Sequence, residues 1–198
     1  MASALQLTRA RLSGMRRIAK AGPEPSRTGI WIGLAAITMT FAAFTSAMIV
    51  RRGAAADWQH FTIPGILYLN TLLLAGSSMS LAFSRKQFSA CAPISRPLAF
   101  LAGTLGLGLI FVVGQYLAWI RLRENGLQLA SSPSISFFYV FTGLHALHVL
   151  GGIGALSVVI CRLRKQTLEI GTLDATSRYW HFMTFLWFYL LLLLRIRI

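Results

Sequence analysis

His145 and His148 are the residues of this chain whose type and spacing invite chemistry, because they sit in Phe137–Cys161, a stretch of 25 residues without a formal charge. An imidazole can bind a metal, hold a haem iron or exchange a proton near neutral pH, and an apolar setting makes each of these costly unless the ring faces protein or water. On a helix the two histidines are three positions apart and Gly152 is four further on, so all three share one stripe facing other helices. A metal held by both rings needs a carboxylate or thiolate from a facing helix, and no facing stretch offers one. A bis-histidine haem fails on depth. At about 1.5 Å per residue, His145 and His148 lie roughly 12 and 16 Å below one edge of their stretch, whereas His60 and His181 lie near the edges of theirs. What remains is a structural role, each imidazole donating a hydrogen bond across helices to a polar group such as Asn70 or Gln115. No GxSxG, phosphate-binding loop or nucleophile–base pair is present, so the sequence shows no catalytic residues and no metal or cofactor ligands of its own.

The elements that must position these residues are membrane spans. In 198 residues, 56% are hydrophobic and 12% charged, and a mean hydropathy of +0.64 is wrong for a soluble domain. Apolar runs alternate with short basic patches and predict an all-α, polytopic membrane bundle of five transmembrane helices, over residues 29–50, 61–84, 97–120, 137–161 and 179–194. Asn70, Thr71, Ser77 and Ser78 recur at seven-residue separation in the second span, which places them on one face for bonding to other helices. All five acidic and all nineteen basic residues fall outside these spans, which argues against a self-contained pump or ion-coupled carrier. The fifth span covers only about 24 Å, so Arg195 and Arg197 are expected to snorkel to the headgroups while Ile196 and Ile198 stay buried.

The basic residues also predict orientation. With the N-terminus inside, the inner segments carry thirteen Lys and Arg and the outer ones six, which favours N-terminus in and C-terminus out. Trp31 and Trp180 then fall at the inner boundary and Trp119 at the outer one, as amphipathic rings do. A net charge of +14 lies in patches between apolar spans instead of on one soluble face, so it points to anionic headgroups and not to nucleic acid. Arg51, Arg52, Trp58, His60 and Arg178 are the candidates for that headgroup contact. Residues 1–28 form a basic tail with no apolar run long enough for a secretory signal. Cys91 and Cys161 lie in no ligand spacing and near the reducing inner face, so neither a disulfide nor a thiolate site is expected.

Several stretches together resemble subunit III of haem-copper terminal oxidases, in its short five-helix bacterial form. The likeness runs from about Thr28 to Ile198. It rests on Phe138, Tyr139, Thr142, Gly143, His145, His148 and Val149 in the fourth span, and on Tyr179, Trp180, His181 and Phe182, followed by Trp187, in the fifth. Leu69, Asn70 and Thr71 with Ser77 and Ser78, and Gln115 with Trp119, add to it. The resemblance implies a chain without haem or copper that packs on the catalytic subunit I, with subunit II nearby. It also implies a role in sustaining turnover and proton uptake, and phospholipids held in a cleft between helix groups. Electrons from cytochrome c reach oxygen in the partner subunits. The same motifs occur in quinol oxidases and in a small protein associated with nitric oxide reductase, and a stand-alone membrane transporter is the alternative from another class. The expected location is a bacterial inner membrane, ahead of a mitochondrial one. Two departures stand out: many relatives carry glutamates where this chain has Ile37 and Ala118. The family's longer members also have two further N-terminal helices, where a basic tail precedes the first span here.

Overall fold

The computed structural model describes residues 27–197 except 55, 56, 59, 60, 63, 91 and 130. The basic tail over 1–26, His60, Cys91 and Ile198, and the side chains of Arg27 and Arg197, lie outside the described residues. The described chain is five α-helices, α1 (Arg27–Ala54), α2 (Ile66–Ser89), α3 (Ser95–Glu124), α4 (Pro133–Arg164) and α5 (Ile170–Arg197), with no strand among the described residues. All five are long and apolar enough to cross a membrane.

The helices are longer than the predicted spans. They run from 24 residues in α2 to 32 in α4, or about 36 to 48 Å against roughly 30 Å of hydrocarbon. Charged residues therefore ride on helix ends as well as in loops. Arg51 and Arg52 occupy the last turn of α1, Arg121 and Arg123 that of α3, and Arg162 and Arg164 that of α4. There they meet the negative end of the helix dipole and reach headgroup depth. Pro133 starts α4, where a missing amide leaves no bond unmade. The basic connection expected over residues 162–178 shrinks to 165–169, with Gln166 at φ 57° making the turn. Asp174 and Arg178 thus belong to the first turns of α5, and Asp174 pairs with Arg85 of α2 at 2.6 Å.

Helices α2, α3, α4 and α5 close into a ring in which each packs on its two neighbours, and α1 leans on the outside against α4 and α5. The α2–α3 hairpin is the tightest pairing. Ser80 and Ser84 of α2 donate to the carbonyls of Phe100 and Pro97, and Thr104 of α3 donates to the carbonyl of Ser77. Small residues allow that approach: a Cβ at Gly103 stands only 3.4 Å from the Ser80 hydroxyl.

Candidate functional site

Two tryptophans of α5, seven residues apart, hold the centre of the ring. Trp180 is 1% exposed and donates its indole N–H to Ser77 Oγ of α2 at 2.9 Å. Its ring lies between backbones that carry no side chain: a Cβ at Gly108 of α3 comes within 2.8 Å of it, and one at Gly152 of α4 within 3.0 Å. One indole thereby touches all three other helices of the ring. Trp187 repeats the pattern two turns along, donating to Thr71 Oγ1 of α2 at 3.0 Å and packing on Phe111 of α3 and His145 of α4, each with centroids 5.0 Å away. The seven-residue step on α5 matches the step from Gly152 to His145 on α4, as antiparallel helices with a heptad register require.

The hydroxyls act as adapters. Ser77 and Thr71 donate to carbonyls of their own helix, Leu74 and Leu67, and use an oxygen lone pair to accept the indole. Thr142 does the same at the far end of the ring. It donates to Phe138 O at 2.7 Å and accepts from Trp119 Nε1 at 3.0 Å, while Gly143 lies under the Trp119 ring. In an apolar solvent an indole N–H without an acceptor is left with an uncompensated desolvation cost. Each of these three has an acceptor.

Other residues singled out by sequence fall around this frame. His181 Nδ1 meets Ser78 Oγ at 2.5 Å, half-buried between α5 and α2. Tyr179 donates to the carbonyl of His148 at 2.8 Å, and Tyr139 to that of Leu127 at 3.1 Å. Phe182 is half-buried against the apolar core. Among the described residues the His148 ring makes no hydrogen bond across helices, contrary to expectation. Its Nδ1 lies 2.7 Å from Leu144 O of its own helix, so Nδ1 carries the proton, and its ring packs on Phe41 of α1. His145, fully buried, has no hydrogen-bond partner among the described residues, and neither has Asn70 nor Gln115. Cross-helix pairing of these three is therefore not direct. Trp180 is buried inside the bundle, ten residues after the first residue of α5.

At the α1 end, an open groove of about 380 Å³ lies between α1 and α4, lined by Phe44, Ala47, Arg51, Pro133, Phe137 and Val140 among others. Arg51 is bridged to Asp57 at 3.1 Å, and Trp58 packs on Phe137. Arg52 and Arg178 are half-buried. Among the described residues no three His, Cys, Asp or Glu side chains come together as a metal-binding group.

What this geometry defines is a polytopic membrane helix bundle whose buried polar groups join helix to helix. The chain belongs to the family described as cytochrome c oxidase subunit III, whose profile matches residues 32–196. It is similar to cytochrome c oxidase subunit 3 of Corynebacterium diphtheriae, 35% identical over 132 residues that cover 65% of this chain and 63% of that protein. The probable cytochrome c oxidase subunit 3 of Nocardia farcinica is 36% identical over 42% of this chain and 43% of its own length. The Synechocystis cytochrome c oxidase subunit 3 is 27% identical over 86% of this chain and 75% of its own length. The matched region thus takes in less than two thirds of the first two relatives.

Proposed function

We propose that this chain is the non-catalytic subunit III of a bacterial haem-copper oxidase, set in the inner membrane with its N-terminus inside and C-terminus outside. Haem and copper reside in subunits I and II. Those subunits pass electrons from cytochrome c to oxygen and translocate protons, and this chain packs on subunit I, sustains turnover and supports proton uptake. Membership of the subunit III family is the observation that carries the reading. The bundle interior supports it, since its buried polar groups are amides, hydroxyls, indoles and imidazole, suited to contact between helices and not to carrying charge. The excess of Lys and Arg on the N-terminal side supports the orientation.

Phospholipid is the ligand this chain binds in the proposal. The groove between α1 and α4 is apolar along its length, with Arg51 at one end to meet a phosphate. Arg52, Trp58, His60 and Arg178 are assigned to headgroups on the same chemistry. Affinity purification of the tagged chain from its native membrane tests the assignment. Co-purifying subunits I and II with a haem spectrum and a copper A signal support it, and haem without copper A places the chain in a quinol oxidase. Saturable transport of a solute by the chain alone in liposomes overturns it.

A further inference from the structure

Three fully buried polar side chains adjoin the Trp187 layer. Asn70 of α2 is 1% exposed, Gln115 of α3 is 1% and His145 of α4 is 0%. Both polar atoms of each, six in all, have no hydrogen-bond partner among the described residues. Their positions converge. A Cβ on Gly114, the neighbour of Gln115, would overlap the Asn70 amide. Gln115 lies one turn beyond Phe111, whose ring packs on His145 at 5.8 Å, and one turn before Trp119, which bonds Thr142. Gln115 is therefore held between the His145 and Thr142 levels of α4, with Asn70 entering from α2.

The oxygen and the nitrogen of each amide alike lack a partner among the described residues. A neutral imidazole still needs one donor and one acceptor, and each amide offers two N–H groups and two lone pairs. Leaving such groups bare at membrane depth carries their full desolvation penalty. All other cross-helix polar groups named above avoid that cost. A water molecule makes about three hydrogen bonds in such sites and can act as donor and acceptor together. We propose that Asn70, Gln115 and His145 form an internal water-binding site at the centre of the bundle, where bound water joins α2, α3 and α4 beside Trp187. The site is a structural hydration centre of the chain itself and stands whether or not the oxidase assignment holds.

The test is solid-state NMR of the chain in lipid bilayers, in whatever assembly it purifies, with nitrogen-labelled histidine. The His145 ring signals are assigned by their loss in His145→Phe. The expected result is magnetisation transfer from water protons to a His145 ring nitrogen, lost in the double variant Asn70→Leu with Gln115→Leu. Direct coupling of that nitrogen to an Asn70 or Gln115 amide with no transfer from water overturns the proposal, as does transfer unchanged in the double variant. If the double variant fails to fold, a density map of the wild-type protein sharp enough to show ordered solvent decides. Density bridging the three side chains supports the site, and its absence rejects it.

Discussion

The bundle contains two kinds of polar layer, and they are built differently. In the layers of Trp180, Trp187 and Trp119, a hydroxyl on one helix accepts an indole N–H from another and directs its own proton to a carbonyl behind it. Each indole and its hydroxyl are satisfied by protein alone, and the indole fills the space left by glycine or packs on an aromatic face. In the layer of Asn70, Gln115 and His145 the side chains are as deeply buried but have no protein partner among the described residues. The first kind is closed by shape and fixed in register. The second has unmet valence, so it should tolerate small displacements better and depend more on what fills it.

The largest expected effect comes from forcing a side chain into a closed layer. A Cβ on Gly152 already stands 3.0 Å from two carbons of Trp180 and 3.1 Å from Tyr179, so Gly152→Leu must push α5 away from α4. The expected loss is about 3 kcal/mol or more, since overpacking costs about 1–3 even when a core can adjust. Thermal unfolding of the purified protein checks it, and an unchanged midpoint means the two helices are not packed as described. Gly108→Ala and Gly114→Ala then compare the two layers directly. The first meets an indole held on both faces and by Ser77, and should cost about 2 kcal/mol. The second meets the end of the Asn70 amide, which no bond to another described residue restrains, and should cost about 1 or less. Equal losses would erase the distinction. Ser77→Ala and Thr142→Val remove single acceptors and should each cost about 0.6 kcal/mol, the usual size of a cross-helix hydrogen bond in a membrane. Near-ultraviolet dichroism of the tryptophans reports the same loss locally.

The sequence makes the five helices legible because bilayer thickness demands runs of this length, and Phe137–Cys161 meets that demand without a charge. It also marks the polar face of α2, since Asn70, Thr71, Ser77 and Ser78 repeat at seven. What it hides is pairing. Ser77 and Trp180 are 103 residues apart, and nothing local says which indole meets which hydroxyl. A usable signal was present nonetheless: a buried indole N–H needs an acceptor, which should turn a tryptophan inside an apolar span toward a polar helix face. The charges of Asp174 and Arg178 make the start of α5 look like a loop, which hides how far along the helix Trp180 stands. The histidine pair was misleading in the same way. Spacing puts His145 and His148 on one stripe, but only three-dimensional packing shows His148 turned back on Leu144 O and His145 without a hydrogen-bond partner among the described residues.

That false loop supplies the smallest and sharpest expectation. Asp174 sits in the second turn of α5, and it grips Arg85 through Nε at 2.6 Å and Nη2 at 3.3 Å. The geometry is good, yet the Arg85 side chain is 51% exposed, so water and salt screen the pair. Asp174→Asn should therefore cost about 0.5 kcal/mol or less at low salt, and the cost should fade as ionic strength rises past the Debye regime. Thermal unfolding of wild type and variant across a salt series measures it. The effect is small because the pair closes one end of the α2–α5 contact beyond the hydrocarbon, whereas Trp180 and Trp187 fix the same two helices from within. A loss approaching that of Gly152→Leu, undiminished by salt, would mean that the pair lies at membrane depth and that α5 enters the bilayer earlier than its apolar length implies.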